Sequence, residues 1–387
     1  MKRIYLNNAA TSFPKAPQLL RLLNDSLQNP PVDHARHGFL ESINPQTCLR
    51  QTLAQFLNVQ TPERIVFSSG ATESLNLLIS GLPLKDTVVL VDAGNHNSVI
   101  RPLKTLERDG VLRVEKIACD ESGQICMDDF LNKLSNKVGA VFLNHCSNVT
   151  GALNDISVFS QIIKKHPANI PVVVDASQSI GNYPLDIPQM GADAVVFTGH
   201  KALLGLAGVG GAYISSSIAP HPLKTGGTGV RSDYLYQPEE MPMYYEAGTQ
   251  NISGIISMQA GINYIIENGI HQLRQKKEYC CNKIRDALHA VPGIKLYPGR
   301  NGKENSTIVS FNIIGLDPDD VAYLLFEAAG IIVRAGLHCA PWIHEYIGTA
   351  PDGCVRVSPS GFTTDEEIDI FVNTILQAVK GGEIEDH

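Results

Sequence analysis

The stretch VVFTGHK, residues 195–201, carries an apolar run of β-formers straight into His200 and Lys201. An ammonium beside a core is costly unless its charge is paired or removed, and a Schiff base to a carbonyl group removes it. Other apolar runs end in a similar way. PVVVDASQ places Asp175 and Gln178 at its end, GAVFLNHCSN places Asn148, and TVVLVDAGNH places His96. RIVFSSGATES closes on a glycine turn that opens a helix with Ala71 and Thr72 in its first turn. Free amides and the positive end of a helix dipole suit a phosphate there. Taken singly, each has an ordinary explanation: a capped strand–helix turn, a surface histidine, an aspartate with a local donor. Five consecutive candidate strand ends that all deliver polar or titratable groups point to one shared ligand.

A phosphate cradle, a ring-stacking histidine, a buried aspartate and a lysine match the needs of pyridoxal phosphate. The lysine bonds the cofactor aldehyde, and a carboxylate on the pyridine nitrogen keeps the ring an electron sink. Burial and the neighbouring His200 push the Lys201 pKa down, which favours the free amine that such a bond requires. Lys201 is therefore read as a covalent attachment point, not a buried free charge.

A second group of reactive residues lies in VRAGLHCAPW, residues 333–342, where Cys339 follows His338 and Arg334. Nearby cationic groups favour the thiolate, which is the nucleophile. The remaining cysteines, at positions 48, 119, 126, 146, 280, 281 and 354, form no CxxC pair and no metal-binding spacing. Arg356, in CVRVSPS, reads from the residues alone as a strand-end surface charge.

Positioning these groups requires a particular scaffold. Strand candidates at 64–69, 87–92, 139–146, 171–177, 193–199 and 209–215 alternate with amphipathic helices such as 47–57, whose Leu49, Leu53, Phe56 and Leu57 share a face. Several runs are apolar without alternation, as parallel strands buried on both faces are. The pattern predicts βαβ units around a mostly parallel sheet, and ligands in such sheets bind beyond the carboxyl ends of the strands. From about residue 255 the rhythm changes to a long helical region. After it come an apolar run at 306–314, a helix near 318–329, runs at 331–336 and 354–360, and a final helix from 364.

Composition narrows the function classes. A chain of 387 residues with 43% hydrophobic and 18% charged residues has a sizeable interior. Its net charge of −8 carries no basic stripe, which argues against nucleic acid as a partner. MKRIYLNNAATSFPK lacks the apolar core of a signal peptide, and no run reaches the ~18 apolar residues of a membrane span. A cytoplasmic protein is expected, with most of its cysteines reduced.

VVVDASQSIG followed by DAVVFTGHKALLGLAGVGGAYI resembles the class V aminotransferase family of fold-type I pyridoxal-phosphate enzymes, in its cysteine desulfurase and selenocysteine lyase branch. The likeness runs from YLNNAATSFP to the final helix. It implies an α/β fold: a mostly parallel seven-stranded sheet with helices on both faces, plus a smaller α+β domain. The division expected is a large domain over 16–254, with 1–15 and 255–387 forming the small one. By the same resemblance Lys201 carries the cofactor, Asp175 pairs with the ring nitrogen, Gln178 contacts the ring hydroxyl and His96 stacks on the ring. Ala71, Thr72, Thr198 and His200 would hold the phosphate, and Asn148 would lie near cofactor and substrate carboxylate. EAGTQN matches a segment whose threonine, here Thr249, reaches the phosphate of the other subunit, which implies a homodimer. Arg356 matches the arginine that binds the substrate carboxylate.

Arg-x-Gly-x-His-Cys-Ala resembles the persulfide loop of one desulfurase group, with Leu337 standing where that pattern has a first histidine. The substitution leaves the proton-transfer partner open. The activity implied is conversion of L-cysteine to L-alanine with sulfur left on Cys339 as a persulfide for an acceptor protein. A cysteine or cystine C–S lyase, a selenocysteine lyase and a class V aminotransferase remain alternatives; the C–S lyase and the aminotransferase need no thiol at Cys339, and the selenocysteine lyase would share almost every residue. A sulfur-trafficking scaffold without catalysis fits poorly with so complete a set of cofactor contacts.

Overall fold

Apolar runs and amphipathic helices assemble into a central sheet and two smaller ones. The protein is described by a computed structural model over residues 3–29, 44–298 and 306–382. In chain order the strands are β1 (Ile4–Tyr5), β2 (Ile65–Ser68), β3 (Val88–Asp92), β4 (Arg113–Ile117), β5 (Val138–Asn144) and β6 (Val172–Asp175). They continue with β7 (Ala194–Thr198), β8 (Gly210–Ile214), β9 (Ile294–Tyr297), β10 (Val309–Ile313), β11 (Ile331–Ile332) and β12 (Val355–Val357). The large sheet has seven strands in the order β2-β8-β7-β6-β5-β3-β4. Strands β3 to β7 pair in parallel, and β8 runs antiparallel to both β2 and β7. The expected mostly parallel, seven-stranded sheet is present. β4, with sequence RVEKI, escaped the search for apolar runs because it is an edge strand that carries charged residues, as edges do to discourage further pairing.

Both faces of the sheet are covered. In β6, Val172 and Val174 enter one core cluster and Val173 the other; β7 divides in the same way, Val195 and Phe197 against Ala194 and Val196. The helix Pro45–Phe56 starts where the Asn44 side chain accepts from the Gln46 amide at 2.8 Å, and it buries Leu49 and Leu53 in the first cluster. The helix Ala71–Gly81 gives Leu75, Leu77 and Leu78 to the second. Each such side chain, fully buried, contributes roughly 1.5–3 kcal/mol. A rigid layer of apolar packing therefore lies directly beneath the strand ends.

β9, β10 and β12 form an antiparallel sheet in the order β12-β10-β9, and β1 pairs in parallel with β11. Ile4 and Leu6 share a core with Phe311, Val355, Ile368 and Phe371, so the N-terminal segment packs with the C-terminal part of the chain. The helix Ile252–Asn268, where the sequence rhythm changes, buries Ile255, Met258, Ile262 and Ile265 against the large sheet. The next helix, Ile270–His289, supplies Cys280, Cys281, Ile284 and Leu288 to the C-terminal core. A small cluster with Val149, Ala340, Ile343 and Cys354 joins the two regions. No helix among the described residues is long and apolar enough to cross a membrane.

Candidate active site

A cavity of about 340 Å³ opens beyond the carboxyl ends of the parallel strands, where an α/β sheet of this kind offers its crevice. Ala71, Thr72, His96, Asn148, Asp175 and Gln178 all line it, as do Thr198, His200, Lys201 and Arg356. Cys339 adjoins it through Arg334, which is itself a lining residue. Thr249 lies outside the cavity and is exposed, two residues beyond the buried Ala247.

One end of the cavity is an anion cradle. Gly70 precedes the helix Ala71–Gly81 with φ 151°, and no side chain caps that helix. A Cβ on Gly210 of the adjacent strand would stand 2.6 Å from the Phe197 carbonyl oxygen and 2.7 Å from Gly70 Cα, so only glycine lets the turn come this close. Free amides at the helix start, together with the Thr72 and Thr198 hydroxyls, suit a phosphate. Glu73, a carboxylate at this end, is paired with Lys224 at 2.7 Å. Buried His200 Nδ1 has no partner of its own.

His96 caps the next helix. Its Nδ1 accepts from the Ser98 amide at 3.0 Å and lies 2.7 Å from Ser98 Oγ, which in turn lies 3.0 Å from Thr72 Oγ1. With Nδ1 accepting, the ring proton resides on Nε2. Burial, then repulsion from Lys201, lowers the His96 pKa to about 4, so the ring is neutral near pH 7.

Two aspartates close equivalent apolar runs, and only one serves the cavity. Asp92, 1% exposed, is consumed by structure: it accepts from the Gly94 and Asn144 amides at 2.8 and 2.6 Å and from Asn95 Nδ2 at 2.6 Å. Those bonds lock the ends of β3 and β5 together. Asp175 accepts from the Ser177 amide at 2.9 Å and lines the cavity. Gln178 gives one amide proton to the Ala9 carbonyl oxygen at 2.9 Å, which leaves it a second donor and an acceptor. Lys201 stands over this floor. Burial, opposed by Asp175 and helped by Arg356 and Arg334, lowers its pKa to about 8.

At the other end stand two arginines on paired backbone: the Arg356 amide donates to the Arg334 carbonyl oxygen at 2.7 Å, and the Arg334 amide returns a longer bond of 3.3 Å. Arg356 is 0% exposed, yet no carboxylate pairs with it among the described residues. It donates to the Asn148 carbonyl oxygen at 2.8 Å and to Asn7 Oδ1 at 3.1 Å, while its Nε has no partner. Burial, then Arg334, lowers its pKa to about 9. A buried cation with donors to spare is a place for a ligand carboxylate. By its local residues Arg356 reads as a surface charge, and by the resemblance as a carboxylate binder; the structure buries it completely.

Arg334 Nη2 donates to Cys339 Sγ at 3.1 Å. The loop behind that sulfur is pinned at two carbonyls: His338 O accepts from Asn148 Nδ2, and Cys339 O from the Asn97 amide, both at 2.7 Å. His338, next in sequence to the cysteine, has Nε2 2.9 Å from the Cys354 carbonyl oxygen. The other two cysteines nearby are poor nucleophiles. Cys146 lines the cavity and Cys354 lies behind the loop, and burial pushes each thiol up to about 12. Arg334, Asp92, Ser98 and Asn7 carry much of this geometry. Of these only Arg334 was legible in the sequence, as a cation near Cys339.

The residues present fit pyridoxal phosphate. The helix start fits its phosphate, Asp175 its pyridine nitrogen, Lys201 its aldehyde, and the unpaired Arg356 Nε, Asn148 Oδ1 and His200 Nδ1 are buried polar atoms that await partners.

The aminotransferase class-V family model matches residues 4–371. A probable cysteine desulfurase of Methanothermobacter thermautotrophicus is 31% identical, over 96% of this chain and 94% of that protein. One from Pyrococcus abyssi is also 31% identical, over 97% and 94%. Among solved structures, the apo cysteine desulfurase from Thermococcus onnurineus NA1 is similar with a TM-score of 0.84 at 28% identity, covering 98% of this chain and 95% of that one. The S-sulfonic acid form of the cysteine desulfurase CsdA from Escherichia coli gives 0.86 at 25% identity, with 98% and 95% covered.

Proposed function

The chain belongs to the aminotransferase class-V family, and from that premise we propose that it is a pyridoxal-phosphate-dependent cysteine desulfurase that converts L-cysteine to L-alanine. The observation that carries this reading is the Cys339 sulfur, held 3.1 Å from an arginine of the cofactor-sized cavity. An aminotransferase or a C–S lyase has no use for a thiol there.

Bound at Lys201, pyridoxal phosphate would supply an electron sink beside the substrate's reacting carbons. The chain supplies everything else. Arg356 holds the α-carboxylate through a guanidinium that no carboxylate among the described residues competes for. Asp175 stabilises a positive charge at the far end of the floor. Lys201, with a pKa near 8, is close to the working pH of a proton carrier once it is displaced. The Cys339 thiolate attacks the substrate sulfur; an S–S bond forms as the C–S bond breaks. The carbon keeps that electron pair, takes up a proton and leaves as alanine, and the persulfide remains on Cys339 for an acceptor protein.

Thr249, exposed close behind the buried Glu246–Arg50 ion pair, supports a homodimer in which it reaches the partner's phosphate. All eight cysteines are free, which supports a reducing compartment such as the cytoplasm.

The test is Cys339→Ala beside the wild type, both loaded with cofactor and given cysteine. Alanine and a Cys339 persulfide seen by mass spectrometry, both lost in the variant, are expected. Pyruvate and sulfide formed equally by the two proteins would sink the reading and leave a C–S lyase.

A further inference from the structure

We propose that Arg334, and not a histidine, is the group that holds the Cys339 sulfur as a thiolate aimed at the substrate, leaving the α-carboxylate to Arg356 alone. The inference rests on the desulfurase reading and gives its sulfur step a named partner. Three observations carry it.

First, Arg334 Nη2 meets Sγ at 3.1 Å, and among the described residues no carboxylate competes for that guanidinium. Second, the histidine in the loop is committed elsewhere. His338 is 1% exposed, its Nε2 donates to the Cys354 carbonyl oxygen, and its Nδ1 is buried without a partner. Leu337, the other neighbour in the loop, has nothing to donate. Third, Arg334 and Arg356 are directly opposed on antiparallel backbone, which puts their side chains on one face. Both reach the cavity. Two adjacent guanidiniums repel each other, and two anions, a substrate carboxylate and a thiolate, relieve that repulsion one each.

The loop backbone fits the assignment. His338 and Cys339 both adopt left-handed conformations, with φ of 50° and 59°, and their carbonyls are fixed by Asn148 and Asn97. Sγ is thus delivered to one place, and Arg334 is what stands there.

The experiment compares wild type, Arg334→Gln and Arg334→Lys as cofactor-loaded enzymes, in two measurements. In the first, iodoacetamide at pH 7 is followed peptide by peptide, with half-buried Cys126 as internal reference. Alkylation of Cys339 should slow about tenfold in Arg334→Gln, the scale of one charge-assisted hydrogen bond, recover in part in Arg334→Lys, and leave Cys126 unchanged. In the second, alanine formation should lose kcat by a similar factor while KM for cysteine moves less than about twofold. Unchanged Cys339 alkylation in both variants overturns the proposal, and so does a rise in KM at constant kcat, which would make Arg334 a second carboxylate binder. Should wild type release pyruvate instead of alanine, the desulfurase reading fails, while the alkylation ratio still judges the Arg334–Cys339 contact by itself.

Discussion

The two ends of the cavity are built by different means. The floor that carries His96, Asp175 and Lys201 hangs from strands whose apolar residues, apart from half-buried Val88, are buried, so its polar groups take their positions from the core. The Cys339 loop has a small apolar seat, with Ala340 and Ile343 at 0% exposure. Its reactive end is set by single polar ties: Asn148 to His338 O, Asn97 to Cys339 O, Arg334 to Sγ. A floor of this kind is lost only with the fold. A loop of this kind can lose its aim while the fold and the cofactor stay in place.

The largest expected effect breaks the floor. Phe197, 0% exposed immediately before Thr198, should cost about 3–5 kcal/mol when replaced by alanine. Urea unfolding measures that loss, and uptake of pyridoxal phosphate by absorbance should fall with it. Undiminished uptake in a protein so weakened would mean that the strand ends are held by something other than their core.

A smaller effect isolates the loop. Asn148→Ala leaves the His338 carbonyl oxygen without its donor, at a cost of about 1–3 kcal/mol. Cofactor absorbance should fall by less than alanine formation, which drops severalfold. Equal losses in both would assign Asn148 to the floor and erase the distinction.

The smallest effect concerns protons stored under the floor. His96, His145 and His200 are each lowered to about 4 from 6.5, first by burial; Lys201 adds to this at His96 and His200, and Asp155 opposes it at His145. The unfolded chain takes up these protons near pH 6.5 and the folded chain near 4. Between those values the unfolded state binds more protons, so stability falls as the pH falls. From pH 7 to 6 the most deeply buried of them, His145, should contribute less than about 1 kcal/mol of that loss. Urea midpoints at the two pH values test the sign, and His145→Gln should flatten part of the slope. A midpoint that rises on acidification would mean these rings are charged in the folded state.

Much of the floor could be read before any coordinates existed, because a βαβ repeat sends the residue after each apolar run to the same edge of the sheet. Lys201, Asp175, His96 and Thr72 follow from that rule, and so does the position of Asn148, whose side chain ties down the Cys339 loop. The helix Pro45–Phe56 is legible as well, since its leucines recur at helical spacing. β4 carries charge in place of an apolar run because it is an edge strand, and β9, IKLY, is likewise an edge strand with an exposed lysine.

What the sequence by itself determined was the set of groups at the strand ends and the cofactor chemistry they imply, since local periodicity fixes which residues reach that edge. What it could not separate were residues of equal local character. Asp92 and Asp175 close apolar runs alike, but the Asn144 amide of β5, added to the local donors Gly94 and Asn95, makes the first a structural knot, while the second faces the cavity. Arg334 and Arg356 are twenty-two residues apart, and only their pairing across antiparallel backbone sets them side by side. Whether His338 or Arg334 meets the Cys339 sulfur turns on one distant carbonyl, that of Cys354, which claims the histidine. Long-range hydrogen bonds decide such matters, and no local pattern encodes them.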